Sequence, residues 1–170
     1  MARTKVAHYS PEDVDFIVAG MFPATGMVDG SFITIEKEEN PYTSIKTADG
    51  KVARMSNSDQ TYKVTLTLSA MSDFNSTLTN LWLADELTGQ GKYPLMIKDN
   101  LGNSLFFSGT AWISEVPITE YSLDMGVKEW VFTATQCSQY FGGNYSQAGL
   151  VQSLISGLAG AIPEIQNAFR

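Results

Sequence analysis

The chain reads mainly as β-structure from its alternation of apolar and polar positions. "TYKVTLTLSA" alternates most cleanly. Tyr62, Val64, Leu66 and Leu68 face one way, and Lys63, Thr65, Thr67 and Ser69 the other. A strand of this kind has one side on a core and one side wet. "SFITIEKEE" sets Phe32, Thr34, Glu36 and Glu38 against Ile33, Ile35 and Lys37. "YPLMIKD" and "NSLFFSG" flank the turn "DNLG" and predict a hairpin, and a first strand falls within "VDFIVAGMF". "TAWISEV" and "KEWVFTATQ" complete the set, the latter with Trp130, Phe132 and Ala134 inward and Glu129, Val131, Thr133 and Thr135 outward.

The spacing predicts one helix over 72–88. Ser72 or Asp73 supplies the N-cap, Gly89 the stop, and Phe74, Leu78, Leu81 and Trp82 the apolar stripe. Its Thr and Asn content makes it weak alone, so it must be held by packing on the sheet. Leu66, Leu68, Leu78, Trp82, Trp130 and Phe132 are the expected core. The C-terminal stretch is uncharged from Cys137 to Pro163, with Leu150, Val151, Leu154, Ile155, Leu158 and Ile162 on one side of a Gly-spaced helix. A membrane segment is the weaker reading, because the other face is polar and no basic flank precedes it. Leu150, Leu154, Ile155 and Leu158 are expected to pack on protein, an adjacent subunit or another component. The organisation is then a β domain over 1–136 with an arm at 41–60, followed by a partly helical extension over 137–170.

At 170 residues the chain has room for one domain with a sizeable core. Its formal charge of −7 argues against a protein built to grip nucleic acid or an anionic membrane. There is one cysteine, Cys137, and one histidine, His8, so neither an intrachain disulfide nor a Cys/His zinc site is expected. "MARTKVAHYSPEDVDF" has basic residues but no apolar run after them, and no secretory signal is read there.

Catalytic constellations are thin. A Ser-His-Asp triad would depend on His8, and no G-x-S-x-G occurs. "TGQGKYP" lacks the upstream glycine, the Ser/Thr after Lys92 and the following helix of a phosphate loop. "DNLGNS" lacks the register and terminal Glu of a calcium loop and reads as a self-capped turn. Asp85-Glu86 reads as a solvated pair. No enzyme activity, metal or cofactor is expected.

Charge is unevenly placed. Residues 41–63 carry Lys46, Lys51, Arg54 and Lys63 against Asp49 and Asp59, a basic island on an acidic body. "YTSIKTADGKVARMSNSDQ" reads as two strand-like arms around Ala48-Asp49-Gly50-Lys51, with few large apolar residues to tie it to a core. Complementary charge on two surfaces of one chain favours head-to-tail self-association, as rings or filaments. The arm is expected to be mobile in the monomer and ordered by stacking.

The succession "DGSFITIEKEENPYT", "ADGKVARMSNSDQTYKVTLTL", a helix, "LTGQGKYPLMIKDNLGN", "AWISEVP" and "MGVKEWVFTAT" resembles the tail tube proteins of contractile-tailed bacteriophages, over about residues 12–136. The resemblance implies a β-sandwich or half-barrel with a flanking helix. It implies six copies in a ring, inner sheets joined into a continuous barrel, and rings stacked into a hollow tube inside the sheath. It implies the tape-measure, sheath and baseplate proteins as partners, passage of DNA through the lumen, assembly in the host cytoplasm and a place in the virion tail. On this reading Lys46, Asp49, Gly50, Lys51 and Arg54 form an inter-ring stacking arm. Thr34, Glu36, Glu38, Thr65 and Thr67 are lumen candidates, since a basic lining would hold phosphates. A tube-end or baseplate ring is the alternative. A monomeric β-sandwich binding module, for carbohydrate for example, is a third. It calls for exposed aromatics, whereas Trp112 and Trp130 lie in patterns that read as buried.

Overall fold

The computed structural model describes residues 9–46, 48–120 and 126–143. Its strands are β1 (Val14–Val18), β2 (Phe22–Pro23), β3 (Ile33–Lys37), β4 (Tyr42–Lys46), β5 (Val52–Ser56), β6 (Tyr62–Ser69), β7 (Tyr93–Asp99), β8 (Leu105–Glu115) and β9 (Val127–Tyr140). Helix α1 (Phe74–Thr88) joins β6 to β7. Seven strands make one open sheet in the order β2-β1-β7-β8-β9-β6-β3, while β4 and β5 pair only with each other. Packing divides the chain into two units: Phe16–Met96 with Phe107–Ser138, and Met1–Asp15 with Ile97–Phe106 and Gln139–Arg170. In the second, the Asp99 carboxylate accepts the N–H groups of Leu101 and Gly102, both at 3.0 Å, closing the predicted turn.

The first unit is organised by the curl of its sheet. The inward faces of β6 and β9 are in register, with Val64 opposite Phe132 and Leu66 opposite Trp130. All four are buried, as is Leu68. The Phe132 ring lies 5.6 Å, centroid to centroid, from that of Phe16 on β1. Three strand spacings separate β9 from β1, about 14 Å on a flat sheet. Their rings meet because the sheet bends toward this face. The chain imposes the same bend at its edges. Pro23 pairs with Ile17 at one edge, and Met27 bridges Leu68 at the other. Four residues span at most about 14 Å, whereas six strand spacings on a flat sheet come to about 29 Å. The sheet is therefore an open half-barrel whose seam is crossed by residues 24–27. Gly26 holds that seam. Its φ is +71°, its carbonyl accepts the Ser69 N–H at 2.9 Å, and a Cβ there would lie 2.7 Å from Cβ of Ser72.

α1 lies against the concave face at its Trp130 end. The Trp130 indole donates to Oδ1 of Asn75 at 2.9 Å, and Phe74 and Leu78 are buried. Ser72 acts as the cap: its hydroxyl accepts the Phe74 N–H at 3.2 Å and donates to the Thr25 carbonyl at 2.6 Å. Gly89 ends the helix in the left-handed region at φ +64°, its N–H bonded to the Asp85 carbonyl. Trp82, expected in the core, is only half-buried.

Several expectations need correction. "NSLFFSG" and "TAWISEV" are one strand, β8. Its inward set runs Phe106, Ser108 and then Ala111, Ile113, a change of parity that an extra residue at 109–110 produces. Beside it on β9, Gln136 has φ +53°. The buried Ser108 hydroxyl donates to the Thr135 carbonyl at 2.7 Å and accepts the Thr110 N–H at 3.3 Å, so the irregularity leaves these groups partnered. The same shift turns Trp112 away from Ala111 and Ile113, and it is half-exposed rather than buried. The arm is a two-stranded hairpin, β4 paired with β5. β9 continues past residue 136 to Tyr140. His8, Leu150, Leu154, Ile155 and Leu158 lie outside the described residues.

The seam gives the fold a specific weak point. Gly26→Ala should lower stability by about 3 kcal/mol, from left-handed strain plus overpacking against Ser72. Gly20→Ala has similar backbone (φ +69°) but no atom within 4 Å, and should cost only about 1–2 kcal/mol. Urea unfolding of the two variants measures the difference; equal losses would remove the seam from the account.

Candidate assembly surface

The arm is built from its register. Tyr42 pairs with Ser56, Thr43 with Met55, Ser44 with Arg54, Ile45 with Ala53 and Lys46 with Val52. Side chains alternate across a strand, so Thr43, Ile45, Ala53 and Met55 share one face. Tyr42, Ser44, Lys46, Val52, Arg54 and Ser56 share the other. On this second face the Arg54 guanidinium stacks on the Tyr42 ring, 3.4 Å from its centroid. The connection bends at Gly50 (φ +82°), beside an Asp49–Lys51 ion pair of 3.2 Å. All ten strand residues are exposed. A two-stranded hairpin is marginal by itself, and this one shows Ile45, Val52 and Met55 to solvent. The structure thus brings the predicted arm residues Lys46, Asp49, Gly50, Lys51 and Arg54 together at one projection. The alternation alone does not show that Ile45 and Met55 share one face while Val52 lies with Lys46 and Arg54 on the other, because that division depends on a register that the five-residue connection sets.

The base of the arm is fastened by polar contacts. The Asn57 N–H donates to the Pro41 carbonyl at 2.9 Å. The Asp59 carboxylate accepts both the hydroxyl (2.6 Å) and the N–H (2.9 Å) of Thr61. These two bonds hold the Asp59 carboxyl below its ordinary value, the hydroxyl contributing most.

The outward faces of β3, β6 and β9 form a second surface. Thr34 sits opposite Thr65 and Glu36 opposite Lys63, with Thr67 opposite Glu129. Thr34, Glu36, Thr65 and Thr67 therefore lie on one face. Glu38, just beyond β3, keeps their parity, and its N–H donates to the Thr61 carbonyl at 3.1 Å. Lys63 interrupts this acidic and hydroxylic surface. Its ammonium lies 3.5 Å from the Glu115 carboxylate, so the face carries no net basic stripe.

Catalytic chemistry has little to work with. Burial pushes the Cys137 thiol up, partly offset by its bond to Ser108, which keeps it a thiol rather than a thiolate. Burial, and then the Asp85 charge, also raise the Tyr93 phenol. Its hydroxyl has no well-formed hydrogen bond, the Ile113 backbone being the polar group beside it. Among the described residues no three His, Cys, Asp or Glu side chains cluster as a metal site, and no helix is long and apolar enough to cross a membrane. A cavity of about 340 Å³ opens beside α1, lined by Trp82, Trp130, Asn75, Val116, Pro117 and Lys128 among others. The Trp130 indole is bonded to Asn75 and the Lys128 ammonium to the Ile118 carbonyl.

The folded Asp59 carboxyl titrates below its ordinary value, so its contribution is present above that ordinary value and is lost as pH falls through the depressed one. Following the Asp59 carboxyl carbon by NMR should give a midpoint below 3.8. Thr61→Val should move it up, with faster amide exchange at the arm's base. An unmoved midpoint would mean that the clasp is not formed.

The chain is similar to a structural protein, ORF10, of Pseudomonas phage KPP10, with 29% identity over 147 residues, covering 82% of this chain and 85% of the relative. Its fold is that of a chain in the tube-terminating cap of the anti-feeding prophage (TM-score 0.53, 12% identity, covering 82% of this chain and 95% of that one). It also matches chains of the PVC extracellular contractile injection system. These are one in the sheath/tube terminator (TM-score 0.50, 14% identity, 79% and 97%) and one in the sheath-tube complex (TM-score 0.51, 14% identity, 78% and 91%). No family model matches. The chain is thus a relative of a phage structural protein, with a fold found in tube and terminator assemblies of contractile systems.

Proposed function

We propose that this protein is a ring-forming subunit at the end of the tube of a contractile phage tail, six copies to the ring. It does no catalysis. The observation that carries the reading is the bare hairpin arm: ten exposed strand residues, Ile45 and Met55 on one face and Lys46 and Arg54 with Tyr42 and Val52 on the other, on an otherwise acidic chain. A hairpin of this kind is stabilised when a neighbouring copy covers it. Likeness to a tube-terminating cap and to a sheath/tube terminator supports the end of the tube. The outward face of Thr34, Glu36, Glu38, Thr65 and Thr67 suits a conduit, because it sets carboxylates and no cluster of Lys or Arg against passing phosphates. Sheath, tape-measure and baseplate components are its partners, with the virion tail its location.

A second reading places the protein along the tube's length. Likeness to a chain of a sheath-tube complex favours it, and so does an arm suited to repeated head-to-tail contact.

Negative-stain microscopy separates the two. Purified protein should form discs of constant height that do not lengthen on concentration. Long tubes would favour the second reading, and a monomer at every concentration would sink both. Deleting residues 45–56 should abolish assembly and leave a folded domain with an unchanged β-type circular dichroism spectrum.

A further inference from the structure

We infer that the cavity beside α1 in one copy is filled by the C-terminal segment of a second copy, with Ile162 and Pro163 seated against Trp82, Val116 and Pro117 and with Glu164 at Lys128. This deepens the ring-forming reading and rests on it. At about 340 Å³ the cavity falls in the range of pockets that hold a small ligand, roughly 300–1,000 Å³. Its exposed lining is mainly apolar. The polar groups there already bond within the chain. The Trp130 indole donates to Asn75, the Thr79 hydroxyl to the Asn75 carbonyl, and the Asn75 amide to the carbonyls of Ser69 and Ser72. Met71, Ile118 and Val127 adjoin the lining residues Ala70, Pro117 and Lys128 in the chain, and are 79%, 81% and 52% exposed. An apolar hollow flanked by exposed apolar side chains is the kind of surface that marks a contact.

The chain carries a segment of matching chemistry in residues 144–170, outside the described ones. Beyond Glu129 it has one acidic side chain, Glu164, which directly follows Ile162 and Pro163. Lys128 is the one charged residue of the cavity lining. Its ammonium gives a hydrogen bond of 3.2 Å to the Ile118 carbonyl. An ammonium has three donors, so a carboxylate can join it, and opposite charge fixes register and partner. Segments that contain proline dock in aromatic-lined grooves. The absence of charge from Cys137 to Pro163 means that no other ion enters the hollow with it. Reach permits the contact between copies. β9 starts at Val127, beside the cavity, and its 14 residues rise about 45 Å. Past its end, Ser104 and Asn103 donate to the Gly142 and Gly143 carbonyls at 3.1 and 3.2 Å, so the segment sets out from there. The nineteen residues from Gly143 to Ile162 span up to about 65 Å, more than the roughly 40 Å width of a compact domain of this length. A segment given and a cavity filled are different patches on identical chains. Their contact is heterologous, and it closes into a ring where the rotation permits.

The test is a crosslink between copies. Thr119→Cys and Ile162→Cys are made in separate chains, each with Cys137→Ala, and the two proteins are mixed, assembled and mildly oxidised. A disulfide joining position 119 of one chain to position 162 of the other is expected, since the contact brings their backbones within the roughly 7 Å that a disulfide spans. Thr119 is an exposed residue of the lining, so its change leaves the sheet and α1 intact. A charge exchange gives an independent reading. Lys128→Glu and Glu164→Lys should each raise the concentration needed for assembly about tenfold, and the double variant should return within about threefold of the wild type. Ile162→Asp, which alters no described residue, should raise it at least as much. Particles without the mixed disulfide, or additive losses without rescue, overturn the docking and leave the ring intact. A wild-type chain that sediments as a monomer throughout removes both.

Discussion

The constraint on which the rest depends is the burial of one face of a single sheet. Among the described residues no second sheet covers it, and the inward set of Phe16, Val64, Leu66, Trp130 and Phe132 is covered by bending. The Phe16–Phe132 contact and the four-residue seam are two expressions of that bend. Full burial of each such side chain contributes about 1.5–3 kcal/mol. α1 then closes the concave side at its Trp130 end, which gives a Thr- and Asn-rich helix the packing it needs.

What the bend cannot reach is left for other molecules. The convex face stays hydroxylic and acidic, with Lys63 neutralised by Glu115. The arm forms a sheet of its own, and Ile45, Val52 and Met55 on it, like Leu83 and Leu87 on α1, remain exposed. A monomer gains nothing from exposed Ile45, Met55 and Leu87. The proposed link from sequence to function therefore runs through residues that the core excludes.

Much of the fold was legible because it is written in short periods. β6 alternates without interruption, the inward residues of β9 are Trp130, Phe132 and Ala134, and Gly89 stops the helix as a left-handed glycine does. The failures cluster where contacts are non-local. β8 was divided in two because Gly109 and the parity change look like a break, yet the Ser108 hydroxyl bonds across to β9 and carries the strand through. Trp112 was assigned inward for the same reason. Trp82 falls on the helix stripe by spacing, but it lies at the mouth of a cavity rather than in the core.

By itself, the sequence determined the strand faces, the helix and its ends, the basic arm on an acidic chain, and the poverty of catalytic groups. Each of these is a property of residues a few positions apart. Tertiary structure decided which edges approach, how far the sheet curls, which side chains share a face of the arm and which side of α1 is left exposed. Those outcomes are set by registers and chain crossings between residues tens of positions apart, where a shift of one residue moves every side chain to the opposite face.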